Sequence, residues 1–206
     1  MPDWSEVGDL RSFLNEVLKL YPEPDEVYRY SSKDQDEKEL RVGKDDVSDY
    51  KNLLKDVGVE IVKTAVEDST KFEYKAPSNA DIPHIPYVAV LDSDESISTR
   101  YGRYVVYLFD PIEKEAYLTV NIGAKEMAKE FAKRLKSVNS RSTANSASDI
   151  LQLLASWYRL NSECPSGFTP GPIELNPSLS NSDVYSEGTI YYKKYSLESL
   201  PSNEEL

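Results

Sequence analysis

Between Val59 and Asn121 the apolar side chains fall into short β-branched and aromatic runs, and no other feature restricts the available folds as strongly. The runs are Val59 to Val66, Lys71 to Lys75, Ile85 to Leu91, Tyr104 to Phe109 and Glu115 to Asn121. Turn formers part them at Ser78-Asn79, Asp92-Ser93-Asp94 and Asp110-Pro111. Such side chains suit a pleated surface, and links this short leave no room for the crossover helices that parallel strands need. A largely antiparallel meander is predicted, with a further strand from Gly188 to Tyr195.

The flanking segments change period. Val7, Leu10, Leu14, Val17 and Leu18 recur at helical intervals between Trp4 and Tyr21, with Asp3 and Glu6 spaced like a capping box and Pro22 and Pro24 beyond the end. Asp45 to Val57 reads as a short second helix, with Gly58 as its C′ terminator. Further helices are predicted over Ala124 to Val138 and Ser146 to Leu160, while the polar stretch before Lys44 reads as a surface loop. The fold class expected is α+β: a central, mostly antiparallel β-sheet flanked by helices in a single domain spanning residues 1–206. The closing Pro201-Ser202 with Glu204 and Glu205 has the composition of a helix start, so the chain reads as cut from a longer protein.

Composition excludes several classes. Nowhere is there an apolar run near the roughly 20 residues a membrane span needs, and the acidic N-terminus is not a secretory signal, so a cytoplasmic location is expected. Cys164 and His84 are the only residues of their kinds, which leaves no disulfide and no Cys/His zinc set; Cys164 is expected to be a partly buried small apolar group. With no G-x-x-x-x-G-K-[ST], nucleotide phosphates have no P-loop, and no cofactor is predicted. His84 stands between Pro83 and Ile85-Pro86, a stiff approach to a strand rather than the base of a triad.

The net charge of −12 opposes binding to a polyanion, but its distribution does not. From Arg100 to Arg141 nine basic residues face five acidic ones, so the middle third carries +4 and the remainder −16. Fifteen tyrosines exceed the needs of a core this size, and a sheet that displays aromatic faces can stack bases. Alternation along Tyr104-Val105-Val106-Tyr107-Leu108-Phe109 sends Tyr104 and Leu108 to one face.

The segment from Ile82 to Glu126, IPHIPYVAVLDSDESISTRYGRYVVYLFDPIEKEAYLTVNIGAKE, has an I-P-x strand entry, then G-x-Y-V-V-Y-L-F, then Y-L-x-x-N-x-G. Near the end, EGTIYYKKYSLESLP adds a closing G-x-I-x-x-K-x-Y and L-P. In this order and spacing the motifs resemble the N-terminal DNA-recognition domain of McrB-type modification-dependent (type IV) restriction proteins, which act in phage defence. The resemblance implies a non-catalytic domain that binds double-stranded DNA and flips a modified cytosine, 5-methylcytosine or a relative, into an aromatic pocket. It also implies two partners, a GTP-driven AAA+ motor in the same chain or another and an McrC-like nuclease. Carried over by position, the pocket residues are Tyr87, where the family has tryptophan, with Tyr104 and Leu108. Ser78-Asn79-Ala80-Asp81 replaces the family's G-x-G-N, and Asn79 is a further pocket candidate. Tyr87 makes a smaller, more polar wall than tryptophan, suited to a different base or substituent. Arg100 and Arg103, flanking the strand that carries Tyr104, are candidates for DNA phosphate contacts, with Lys193 and Lys194 as a second pair.

Two other readings stand beside this one. Asp68 with Glu73-Tyr74-Lys75 has the D…E-x-K spacing of Mg²⁺-dependent nucleases, in which two carboxylates hold the metal and a lysine lies near the attacking water. An acidic protein-interaction module would have the same net charge and no affinity for DNA.

Overall fold

The structure, a computed structural model, describes residues 4–21, 44–77, 83–96, 98–123, 134 and 147–204. The expected surface loop before Lys44 and nearly all of the predicted helix from Ala124 to Val138 lie outside the described residues, as does most of the basic stretch around it.

Six strands form one antiparallel sheet: β1 (Phe72–Lys75), β2 (Tyr87–Asp92), β3 (Arg103–Asp110), β4 (Glu115–Ile122), β5 (Thr169–Pro170) and β6 (Thr189–Ser196). Their order across the sheet is β1-β2-β3-β4-β6-β5, so the first four strands make the predicted meander. The predicted helices from the N-terminus and from Ser146 are α1 (Leu10–Leu20) and α4 (Ala147–Asn161). Between them lie α2 (Lys44–Asn52) and α3 (Val59–Ala65), joined by a π-helical turn (Leu53–Gly58). A short α5 (Ser182–Glu187) precedes β6. The single-domain α+β reading holds.

Helix α1 buries Leu10, Phe13, Leu14, Val17 and Leu18, a stripe at helical spacing that faces Val88, Tyr107 and Phe109 of the sheet. Phe13 meets Phe109 edge to face, with centroids 5.9 Å apart. The cap lies further along than expected: a 3₁₀ turn (Trp4–Glu6) precedes the helix, and Asp9 with Ser12 forms the capping box. Asp9 Oδ1 accepts from Ser12 N–H at 2.7 Å, and this bond holds its carboxyl below the usual range.

The segment Val59 to Val66 corrects the strand prediction, because the helix begun at Lys44 runs on to Ala65. Gly58 does not terminate it: its φ of −65° is helical, and a Cβ there would lie 2.4 Å from the Phe13 ring. The glycine allows α1 to approach. Read across it, Leu53, Leu54 and Val62 form one buried helical stripe.

The other sheet face carries Ala89, Leu91, Tyr104, Val106, Leu108 and Tyr117, packed under Ile173, Leu175 and Leu179. Buried Asp110 ties this covering segment down, accepting from the N–H groups of Ile112, Glu113 and Asn176 at 3.0, 3.0 and 2.6 Å. Cys164 is exposed rather than partly buried, because it opens a surface turn where its thiol points to the Phe168 carbonyl at 3.3 Å. His84 accepts from Ser180 N–H through Nδ1 at 3.2 Å, joining the entry of β2 to the turn before α5.

Candidate nucleic-acid interface

Strand register determines where the candidate tyrosines meet. Tyr87 at the start of β2 lies directly opposite Leu108 of β3, and Ala89 lies opposite Val106. Facing pairs in an antiparallel ladder project to one side, so Tyr87 and Leu108 share a face with Tyr104, four residues back along β3. Four residues of strand span about 13 Å, and the pair between them, Ala89 and Val106, is buried in the same core as Ile173, Leu175 and Leu179. Tyr104 is 6% exposed, Leu108 fully buried and Tyr87 half-buried. Leu108 is opposed on its other flank by Tyr117 of β4 and belongs to the core beneath the 173–179 cover. Asn79 lies outside the described residues.

A third phenol joins the cluster, one that sequence reasoning did not select. Tyr185 of α5 is half-buried against the same core as Tyr87 and Tyr104. Burial pushes its phenol up to about 12, with the neighbouring Tyr87 adding to the rise. Burial also raises Tyr104 well above the ordinary phenol range, with Tyr185 and Tyr87 contributing. Tyr87 is raised by burial and partly restored by the positive charge of Arg100. The Tyr87 hydroxyl thus lies near those of Tyr104 and Tyr185 and near the Arg100 guanidinium. Among the described residues, none of the three makes a hydrogen bond.

The motif glycines hold the turn that displays Arg100. Gly102 adopts φ +73°, and a Cβ there would lie 2.1 Å from the Glu95 carbonyl oxygen. A Cβ on Gly123 would fall within 3 Å of backbone atoms of Thr99, Arg100 and Tyr101. Asn121 fixes the other side: its amide donates to the Tyr185 carbonyl and the Thr189 hydroxyl, and its Oδ1 accepts from its neighbour Ile122 N–H at 2.8 Å.

The four candidate phosphate contacts do not share a surface. Arg100 is exposed on the tyrosine side. Arg103, the residue before Tyr104, projects to the opposite face, forks onto both carboxylate oxygens of Glu95 and lies 5.1 Å above the Tyr158 ring. Lys194 lies on the tyrosine side over Tyr117, paired with Glu115 at 2.6 Å. Lys193 turns away toward Phe168. Arg100 is therefore the one candidate of the four on the tyrosine side without an ion pair among the described residues.

The D…E-x-K residues form separate local pairs. Asp68, in the left-handed region at φ 53°, binds Lys71, while Glu73 and Lys75 pair along β1 at 3.2 Å. Among the described residues no group of three or more metal-ligating side chains comes together. Nor is any helix of the described residues long and apolar enough to cross a membrane.

Residues 31–206 match the family described as MrcB-like, N-terminal domain. That span takes in all six strands and every candidate site residue; of the described elements, α1 and the turn before it lie outside it. No curated protein and no solved structure matches the chain.

Proposed function

Because the chain belongs to the MrcB-like N-terminal domain family, we propose that it is the DNA-reading module of a type IV restriction system, acting in the cytoplasm without catalysing a reaction itself. Duplex DNA lies across the tyrosine-bearing face, and a modified cytosine leaves the stack to enter between Tyr87 and Tyr104. Extrusion costs a few kcal/mol, and stacking on aromatic rings returns about 1–3 kcal/mol per ring, so the balance is favourable only where the pocket accepts the modified base. Arg100 supplies a phosphate contact at the rim, while Leu108 supports Tyr87 from below. Cleavage and GTP hydrolysis belong to an McrC-like nuclease and an AAA+ motor, the latter in the same chain or a partner.

The observation that carries this reading is the convergence of half-buried Tyr87 and buried Tyr104 on one sheet face beside Arg100. It is tested by titrating the protein with matched duplexes carrying cytosine, 5-methylcytosine, 5-hydroxymethylcytosine, 4-methylcytosine or 6-methyladenine. At least one modified cytosine should bind more tightly than cytosine, and Tyr87→Ala should erase most of that preference. Tyr104→Ala is a poor probe, because truncating a buried tyrosine costs about 3–5 kcal/mol of stability. Equal affinity for all five duplexes would reduce the interaction to nonspecific polyanion binding and end the proposal.

A further inference from the structure

The sheet face opposite the tyrosines is only partly covered. Helix α1 packs on it at Val88, Tyr107 and Phe109, but the neighbouring row of side chains is left open. That row runs straight across three strands, with Val90 of β2 opposite Val105 of β3 and Val105 opposite Val120 of β4. Val105 is 37% exposed on a central strand of the sheet, and Leu118 and Val120 are half-buried. A cleft of about 620 Å³ lies over Val90, Val105 and Leu118, walled by Leu10 of α1 and by Ile61 and Val62 of α3. A second hollow of about 250 Å³ shares Val90 and Val105 with it and continues to Val120 and Arg103.

The floor selects the shape of its ligand. Strands lie about 4.8 Å apart, so Val90, Val105 and Val120 together span about 10 Å, the width of one α-helix. Strands β2, β3 and β4 are each paired along both edges. An extended segment lying on them finds no free ladder and buries its own N–H and C=O groups unpaired. A helix satisfies those groups internally and offers an apolar stripe to the valines.

Charge selects further. Among the described residues, five charged side chains line the two hollows: Asp9, Glu60, Asp92, Glu95 and Arg103. Four are acidic, and the cation is already forked onto Glu95. Such a rim repels nucleic acid and favours a ligand with lysine or arginine beside its apolar stripe. We infer that this cleft is a docking site for a basic amphipathic helix of another protein, seated on Val90, Val105 and Val120 with its cations toward Asp9, Glu60 and Asp92. The cleft faces away from Tyr87 and Tyr104, so the inference stands apart from the base-pocket reading, and partner and DNA can be held together.

The experiment follows, by fluorescence anisotropy, a labelled synthetic helical peptide with leucine at i, i+4 and i+7 and lysine on its flanks, beside a control in which glutamate replaces each lysine. Wild type should bind the lysine peptide, more weakly as salt rises, and should not bind the control. Val105→Lys puts a cation in the apolar floor and should weaken binding about 10-fold or more. Glu60→Lys should weaken it about 2- to 5-fold, and because that side chain is 69% exposed the variant keeps its fold even where Val105→Lys does not. Trp157→Ala removes an exposed apolar group of α4 that lines neither hollow, and should change nothing. The inference is overturned if both peptides bind alike, if the two cleft variants bind as wild type does, or if Trp157→Ala abolishes binding. It is overturned too if neither peptide binds, as when the cleft is filled from within the chain. A wild-type dimer in sedimentation that Val105→Lys dissociates would assign the cleft to a second copy instead.

Discussion

The side-chain amide of Asn121 donates to the main-chain carbonyl of Tyr185 at 3.0 Å, so the third residue after the Tyr117-Leu118 pair anchors the helix that carries the third phenol. The same amide reaches Thr189 Oγ1 at 3.1 Å, and the side chain is 1% exposed. Asn121→Ala leaves several buried polar groups short of a partner, at about 1–3 kcal/mol for each one left unsatisfied. We expect a loss of about 2–4 kcal/mol in urea denaturation, with modified-duplex affinity falling because α5 loses its anchor. Unchanged stability would mean that the bonds to Tyr185 and Thr189 contribute nothing net.

Arg100 and Arg103 are three residues apart but should behave differently in DNA binding. Arg100 is exposed on the tyrosine side, whereas Arg103 is held on the opposite face by Glu95 and Tyr158. A side chain that neutralises one phosphate contributes about one unit to the slope of log affinity against log salt concentration. Arg100→Ala should reduce that slope by about one, and Arg103→Ala should leave it nearly unchanged. The reverse result would put the DNA on the helix-covered face.

How much of this was legible in the sequence depended on period. Strands β2, β3, β4 and β6 were readable because each holds six to eight residues of β-branched and aromatic side chains bounded by turn formers. Once β3 is located, alternation alone puts Arg103 opposite Tyr104, and Lys193 opposite Lys194. The six residues of α5 are too few to display a helical period, so Tyr185 escaped notice. The available signal was start-type chemistry in Ser180-Asn181-Ser182-Asp183, just ahead of the closing G-x-I motif. The ion pair of Arg103 with Glu95 spans a turn whose geometry depends on Gly102, and no sequence pattern predicts that reach.

Glycine commonly ends helices, yet Gly58 lies inside one, and its close neighbour is an aromatic ring. In an exposed helix interior, replacing glycine by alanine is stabilising by about 1 kcal/mol. Here the added methyl would lie 2.4 Å from the Phe13 ring, itself fully buried and set against Phe109. Gly58→Ala should therefore destabilise, by about 1–3 kcal/mol in denaturant titration. Its effect on the preference for modified DNA should be negligible, since α1 and α3 cover the face away from the tyrosine cluster.

Tyr50 offers a change in the other direction. Its ring packs edge to face on Tyr21 at 5.4 Å and is 2% exposed, while its hydroxyl is buried with no hydrogen-bond partner among the described residues. Removing a polar atom that is desolvated and unpaired relieves a cost on the order of 1 kcal/mol. Tyr50→Phe should be neutral or stabilising in thermal melts. A clear loss of stability would indicate that the hydroxyl has a partner.

The same phenols make stability dependent on alkaline pH. Burial is the first cause of the upward shift in Tyr50, Tyr104, Tyr107 and Tyr185, the last reaching about 12. An unfolded chain ionises its tyrosines near pH 10. Below that pH both states keep the proton and these groups impose no pH dependence. Between about 10 and the folded value the unfolded state alone releases it, so each such tyrosine withdraws about 1.4 kcal/mol of stability per pH unit. For Tyr185 the loss is complete once the pH passes about 12. Followed by tyrosinate absorbance and circular dichroism together, the buried set should ionise above pH 10, in one step with loss of secondary structure. Tyr185→Phe should remove one group from that step. If the buried set titrated near pH 10 in a protein that remained folded, water would have free access to these phenols, and the burial that raises them would be absent.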